Sequence, residues 1–193
     1  MKILVIVDMQ NDFIDGPLGS PEAQAIVPKV IDKIKSCDGN TLVLLTKDTH
    51  YPDYLETLEG EKLPIPHCIE GTHGWSLNNE VSNAVKDFNG LLYSGADIIK
   101  SRIIKNTFGS TRLIETVKDI IDNDLKDPIT SIELVGLDSD ICIISNALLL
   151  KAFFPEIPIS VDAECCAGVT PETHMNALRA MKMCHIDIVN AEV

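Results

Sequence analysis

Short apolar runs alternate with amphipathic stretches along most of this chain. Five stretches repeat apolar residues at the spacing of a helix, at residues 23–36, 78–88, 111–123, 141–153 and 171–183. The runs between them are almost continuous in Val, Ile and Leu, as is typical of parallel strands covered on both faces. These runs occupy residues 3–7, 42–46, 98–104, 132–135, 159–161 and 186–189. Strand and helix alternate, so the pattern predicts an α/β fold with a doubly wound, six-stranded parallel sheet in three α/β/α layers.

One segment, residues 49–75, follows neither pattern. It contains several prolines and glycines, namely Pro52, Gly60, Pro64, Pro66, Gly71 and Gly74. An irregular stretch of this length inside a compact domain is usually functional. We therefore expect it to contribute to a site.

The composition narrows the class of protein. The 193 residues are expected to form a single domain over residues 1–193. The net charge of −13 disfavours nucleic acid and anionic membrane as partners, because phosphate groups need a basic surface. No apolar run approaches the ~18 residues of a membrane span, and no signal peptide is expected before the first strand. The cysteines do not have the paired spacing of a disulfide framework, which predicts a reducing cytoplasm.

Polar side chains follow the ends of several predicted strands, where the ligand crevice of an open α/β sheet lies. Asp8 follows the first strand, Lys105 the third and Cys142 the fourth. Together they would supply a nucleophile, a base that takes its proton and a cation that keeps the base ionised.

Cys142 lies where a helix begins behind the fourth strand. Ser139 is the predicted N-cap, which would place the thiol in the first helical turn. The positive end of a helix dipole favours thiolate over thiol, and free backbone N–H groups there can bind an oxyanion. A buried core cysteine is the alternative for this segment alone, and Cys165 and Cys166 are rival thiols after another strand.

A second group of residues predicts a metal site. Asp48 and His50 lie two apart at a strand end, and His67 follows in the irregular segment. Two imidazoles and one carboxylate suit a divalent transition metal, with zinc first and iron or manganese as alternatives. Glu59 is favoured over Glu56 as a further oxygen ligand. The other histidines, His73, His174 and His185, are expected to be structural.

The motifs resemble those of a known family. The segments Asp8-Met9-Gln10-Asn11-Asp12-Phe13 and Gly136-Leu137-Asp138-Ser139-Asp140-Ile141-Cys142, with Lys105, are similar to the signatures of isochorismatase-like cysteine hydrolases. Asp48-x-His50, Pro66-His67-Cys68 and Gly71-Thr72-His73-Gly74-Trp75 resemble the nicotinamidase branch.

This resemblance implies a Rossmann-like parallel sheet, homo-oligomers and a cis peptide at Leu137-Asp138. It also implies that Asp8, Lys105 and Cys142 form the catalytic triad, and that Asp48, His50 and His67 bind the metal.

Two positions depart from the family pattern. Ser139 stands where Thr is common, and Lys105 lies only three residues before Phe108, whereas six is the common spacing. Lys105 directly follows apolar residues, as a residue at a strand end should, and Lys100 is the alternative.

The implied activity is hydrolysis of nicotinamide to nicotinate and ammonia through a cysteine thioester. The substrate is a small carboxamide, with Phe13 and Trp75 as candidates for contacting its ring and the turn at Leu137 and Asp138 for binding its oxygen. The alternatives are another carboxamide or ureido hydrolase of the same family, or a metal- or redox-responsive binding protein that uses Cys142 as a sensor.

Overall fold

A computed structural model describes residues 1–88, 91–92, 102–123 and 128–191. Its strands are β1 (Lys2–Val7), β2 (Thr41–Asp48), β3 (Leu91–Leu92), β4 (Arg102–Lys105), β5 (Ser131–Gly136), β6 (Ile159–Cys166) and β7 (Asp187–Val189). Its helices are α1 (Asn11–Ile14), α2 (Pro21–Ser36), α3 (Leu58–Lys62), α4 (Asn79–Lys86), α5 (Thr111–Asn123), α6 (Ile144–Phe153) and α7 (Pro171–Met183). A short 3-10 turn (Tyr54–Glu56) and a π turn (Ser139–Ile143) complete the described elements.

The sheet is parallel throughout, with the strand order β3-β2-β1-β5-β6-β7. β4 also pairs with β2, beyond β3 along the same edge, so the two short strands share one position. Six strand positions result, which confirms the predicted six-stranded parallel sheet. The first four residues of the predicted strand 98–104 lie outside the described residues.

The sheet has a hydrophobic core on each face. On β1, Ile3, Val5 and Val7 belong to one core and Leu4 and Ile6 to the other, because successive side chains of a strand point to opposite faces. Helices α5, α6 and α7 supply the first core, and α2 and α4 supply the second. This arrangement is the predicted three-layer α/β/α fold. Among the described ranges, no helix combines the length and apolar composition needed to cross a bilayer.

The strand order reverses direction between β1 and β5. Crevices at such a switch point open beyond the carboxyl ends of the strands. Gly136 ends β5 there with φ +118°, a conformation that favours glycine, and a Cβ at this position would collide with the Val7 carbonyl. The close approach of the two strand ends therefore depends on the missing side chain.

A buried ion-pair cluster ties α2 to the sheet away from this crevice. The Lys33 ammonium lies 2.6 Å from Asp162 on β6 and 2.9 Å from Glu133 on β5. Burial acts to raise the pKa of Asp162, but hydrogen bonding and attraction to Lys33 outweigh it and hold that pKa below its ordinary value. Because the Asp162 side chain is 1% exposed, the loss of its cation would leave a buried carboxylate unpaired.

We expect Lys33→Met to lower the free energy of unfolding at pH 7 by about 2–3 kcal/mol. This is less than the cost of breaking a fully buried ion pair, because Lys33 is partly exposed. A carboxyl group whose pKa is lower in the folded than in the unfolded chain stabilises the folded state at pH values above its unfolded pKa. This stabilisation is lost as the pH falls through the pKa of the folded state. The difference between wild type and variant should therefore shrink below about pH 4. Urea denaturation across pH measures it. Lys29→Met is the control, since Lys29 reaches Glu164 only at 4.0 Å on the surface. An equal loss in both variants would contradict the prediction.

Candidate active site

The three residues of the predicted triad converge at the switch point. Lys105 ends β4, Asp8 follows β1 and Cys142 lies in the π turn after β5. The Lys105 Nζ atom lies 2.6 Å from Asp8 Oδ2 and 3.5 Å from Cys142 Sγ. All three side chains are almost fully buried. Lys105 thus has the position that the proposed cation requires, whereas the alternative Lys100 lies outside the described residues.

Asp8 is held by neighbours that the sequence analysis did not single out. Its backbone is in the left-handed region at φ +51°, and Thr46 Oγ1 donates a 2.7 Å hydrogen bond to Asp8 Oδ1. Two residues on, the Gln10 amide accepts from Asp48 N at 2.7 Å and donates to Asp48 O at 2.8 Å. Gln10 therefore fixes the end of β1 against the end of β2. In the sequence, the only sign of a role for Gln10 is its place two residues after Asp8. The sequence does not show that its partner is the end of β2.

The nucleophile turn differs from the prediction at Ser139. Asp138, not Ser139, occupies the N-cap position, and the side chain of Asp138 makes no capping hydrogen bond. Ser139 is fully buried and its Oγ lies 2.8 Å from His174 Nδ1 on α7. The N-cap prediction is wrong because the turn is a π turn, in which Ile143 N donates to Asp138 O over five residues. The Leu137-Asp138 peptide is cis, as the family resemblance implied.

Burial opposes the expected thiolate at Cys142. Burial raises the pKa of the Cys142 thiol well above its usual range, and the attraction of Lys105 does not offset this. Burial also raises the pKa of Asp8 against the opposing effect of Lys105. A buried thiol beside a carboxyl group needs a base before it can act as a nucleophile. Asp8 lies where such a base is required.

The four predicted metal-binding side chains lie together beside this triad. Asp48 Oδ2 is 2.9 Å from His50 Nε2 and 3.5 Å from His67 Nε2. Atoms that share one zinc ion at 2.0–2.2 Å are separated by about 3–3.5 Å, so these spacings fit a common ion. Glu59 Oε1 lies 3.6 Å and 3.8 Å from the same two nitrogens, whereas Glu56 is exposed on the preceding 3-10 turn.

The imidazoles are oriented toward that point. His67 Nδ1 bonds to the Ile65 carbonyl at 2.9 Å, which leaves Nε2 free to act as an acceptor. His50 Nε2 is buried, and its 2.9 Å approach to Asp48 Oδ2 does not have the geometry of a hydrogen bond; no other described residue supplies one. A buried ring nitrogen without a hydrogen bond is costly unless something else binds it. The chemistry of this donor set therefore fits a divalent transition metal.

A cavity of about 730 Å³ opens onto both groups. Its wall includes Cys142, Asp48, Glu59 and His67, and the predicted substrate-binding residues Phe13 and Asp138. Apolar side chains from several segments complete much of the rest, namely Leu18, Leu58, Leu63, Phe108, Ile141 and Val169. The cavity can therefore hold a largely apolar small molecule against the thiol.

Two of the predicted substrate contacts have other surroundings. Leu137 is fully buried in the core and does not line the cavity. Trp75 does not line it either. The Trp75 ring lies over the buried Lys47 ammonium, 3.0 Å from Nζ to the ring centroid, and its Nε1 donates to Thr49 Oγ1 at 2.8 Å. Trp75 partners a buried cation there, which the sequence does not reveal.

We expect Trp75→Ala to lower the free energy of unfolding by about 2–3 kcal/mol, because it removes a half-buried ring and leaves the Lys47 ammonium without its aromatic partner. The loss of a fully buried Trp would cost more. Trp75→Phe should keep a ring over Lys47 and leave KM unchanged. Phe13→Leu, on the cavity wall, should raise KM. Denaturation curves and steady-state kinetics on the three variants test this. An equal rise of KM in Trp75→Phe and Phe13→Leu would show that Trp75 contacts the substrate.

Comparisons with known proteins identify the family and the fold of this chain. A family model described as Isochorismatase domain matches residues 2–193. The chain is 26% identical over 203 residues to a nicotinamidase/pyrazinamidase of Mycobacterium tuberculosis, covering 98% of each chain. The solved pyrazinamidase/nicotinamidase of Streptococcus mutans UA159 is similar with a TM-score of 0.75 and 21% identity, covering 98% of this chain and 100% of that one. The pyrazinamidase of Pyrococcus horikoshii, solved in complex with zinc, has a TM-score of 0.71 and 21% identity, covering 98% of this chain and 99% of that one. These structural similarities confirm the fold.

Proposed function

Because the chain belongs to the isochorismatase family, on its nicotinamidase branch, and is an amide hydrolase, we propose that it converts nicotinamide to nicotinate and ammonia through a thioester on Cys142. The observation that carries the proposal is the contact of Lys105 with both Asp8 and Cys142 beside the Asp48, His50 and His67 group. Cys142, Asp48 and His67 line the same cavity.

In the first half-reaction Asp8 takes the proton of the Cys142 thiol, and the sulfur attacks the carboxamide carbon. A C–S bond forms and the carbonyl electron pair moves to the oxygen. When the C–N bond breaks, Asp8 returns its proton to the departing nitrogen, which leaves as ammonia. In the second half-reaction Asp8 takes a proton from water, and the water oxygen attacks the thioester carbon. The C–S bond then breaks, the acid leaves as nicotinate after losing its proton to solvent, and Asp8 returns its proton to the Cys142 sulfur. Lys105 orients Asp8 and stabilises its charge.

The oxyanion is expected to bind to backbone N–H groups of the nucleophile turn. Asp138 N donates to no backbone carbonyl among the described residues, so it is available, while the neighbouring Ser139 N is already bonded to Ala167 O at 2.8 Å. Donors fixed by the fold need no reorganisation when the charge develops. The turn at Asp138 and Cys142 therefore supports this role.

Asp48, His50 and His67, with Glu59 alongside, are the residues that would hold one divalent transition metal. Zinc is our first expectation, and iron or manganese are alternatives. When bound, such an ion would supply a Lewis acid with open positions for a ring nitrogen or water. The thiol has its own base in Asp8, so we assign the metal to substrate placement.

The decisive experiment is ammonia release from nicotinamide and a small panel of carboxamides by purified protein, with and without chelator. His67→Ala should lose most of the bound metal and raise KM for nicotinamide, while alkylation of Cys142 by iodoacetamide keeps a similar rate. His185→Asn is the control, because His185 is exposed and far along the chain from the site. Fully active protein without stoichiometric metal would contradict the metal assignment.

The alternatives differ in what the same measurements would show. A redox sensor needs an accessible thiol of low pKa, whereas Cys142 is 6% exposed with a raised pKa. Another carboxamide is the stronger alternative, because the cavity is larger than a single substituted ring requires. A cytoplasmic homo-oligomer that binds neither nucleic acid nor membrane stays a prediction.

A further inference from the structure

Asp138 places a carboxyl group on the cavity wall that the proposed chemistry does not use. Its backbone is fixed, since its carbonyl accepts from Ile141 N at 3.1 Å and Ile143 N at 2.9 Å. Its side chain lines the same cavity as Cys142, four residues further along the turn. A substrate held against the thiol therefore shares its cavity with this carboxyl.

The Asp138 carboxyl has no hydrogen-bond or ion-pair partner among the residues that the structure describes. Other acidic groups that are buried or partly buried differ in this respect. Asp8 and Asp162 are paired with lysines, and Asp140 accepts from Val169 N through both oxygens at 3.2 Å. Burial, with the nearby Asp140 and Asp8 carboxylates, raises the pKa of Asp138 to about 7. An unpaired, mostly buried acid is destabilising unless a ligand completes it.

The reaction itself gives Asp138 no reason to be acidic. Proton transfer is assigned to Asp8, and the oxyanion needs only backbone donors of this turn. A carboxylate next to a developing oxyanion would oppose the reaction by repulsion. The side chain is therefore better explained by recognition of another part of the substrate, and the room in the cavity permits a larger substrate than nicotinamide.

We propose that the Asp138 side chain is a specificity determinant that accepts a hydrogen bond from a second N–H group of the substrate, so that the preferred substrate is a carboxamide bearing an amino or ring N–H group. This inference rests on the proposed amidase function and names a substrate class within it. Apolar walls such as Phe13 and Phe108 would contact the rest of the molecule. A site that places a buried carboxyl group opposite a donor discriminates against analogues that lack the donor.

The test uses paired nicotinamide analogues, with an amino group at each free ring carbon in turn and a methyl group at the same carbon as its partner. For at least one position, wild type at about pH 8, above the pKa of Asp138, should prefer the amino compound in kcat/KM by about 10–100-fold, as expected for a hydrogen bond to a charged group. Asp138→Ala should bring that ratio close to one. Because the ratio compares two substrates of one variant, a general loss of activity cancels.

Glu61→Ala is the matched control, since it also removes one negative charge but from the exposed side of α3, and it should keep the wild-type ratio. Binding of the same pairs to the Cys142→Ala protein, by calorimetry, with and without Asp138→Ala, gives a readout that does not need turnover. No ammonia release from any amide would refute the proposed function, while an amino preference in binding would still support the role of Asp138. Equal amino and methyl values with and without Asp138, or an equal loss for every amide, would overturn the inference.

Discussion

Cys142→Ala is expected to lower amide hydrolysis by about four to six orders of magnitude, the loss typical when a catalytic nucleophile is removed. The fold should survive, because alanine is small and apolar and Cys142 already packs within a hydrophobic core. Steady-state ammonia release measures the loss, and mass spectrometry of an acid-quenched reaction locates the acyl group on wild-type protein.

Cys165 and Cys166 provide the control for this prediction. Both are buried at the end of β6 and neither lines the cavity, and Cys165 Sγ instead lies 3.6 Å from the Lys29 carbonyl. Cys165→Ala should therefore keep most activity. An acyl group found on Cys165 or Cys166 would show that this cysteine, and not Cys142, is the nucleophile.

Asp8→Asn is expected to reduce kcat by about 10²–10⁴, as is typical when general acid–base catalysis is lost. The amide is almost the same size, so the hydrogen bond from Thr46 can persist and the loss reports on proton transfer. In wild type, activity requires ionised Asp8 and so rises with pH through its pKa.

This rise of activity with pH is the acidic limb of the pH–rate profile, and Lys105 determines the pH at which it occurs. Removing its positive charge in Lys105→Ala should raise the pKa of Asp8 further and move the limb to higher pH. The rate profile from pH 4 to 9 measures the shift, and Lys100→Ala is the matched comparison. If the acidic limb shifts in Lys100→Ala and stays unchanged in Lys105→Ala, the role assigned to Lys105 belongs to Lys100.

The sequence predicted the fold well because its strands are buried on both faces and stand out as apolar runs. The limits of that signal are visible in β6, which continues to Cys166 although the apolar run ends at Val161. Asp162 interrupts the run, and inside the protein its charge is balanced by Lys33 from a distant helix, while Glu164 N donates a hydrogen bond to it. Such pairing is a property of the folded chain, and local composition does not contain it.

The site shows the same division. Residues that follow strand ends could be placed together, because the carboxyl ends of parallel strands meet at one edge of the sheet. What burial does to charge could not be predicted in this way. The helix end argued for a thiolate at Cys142, but burial raises the pKa of this thiol. Ser139 was misassigned for a related reason, because its partner His174 comes from another element. The contact between Trp75 and Lys47 likewise joins two segments that no local pattern connects.

Gly136 has a consequence for how variation in this chain should be interpreted. The place where β1 and β5 approach each other leaves no room for even a methyl group against the Val7 carbonyl. Asp8 follows one of these strands directly, and Cys142 lies in the turn after the other. A methyl at Gly136 would force the proton acceptor and the sulfur apart without changing either of them. In a survey of natural variants or a saturation library, this position would rank with the catalytic residues although it carries no functional group.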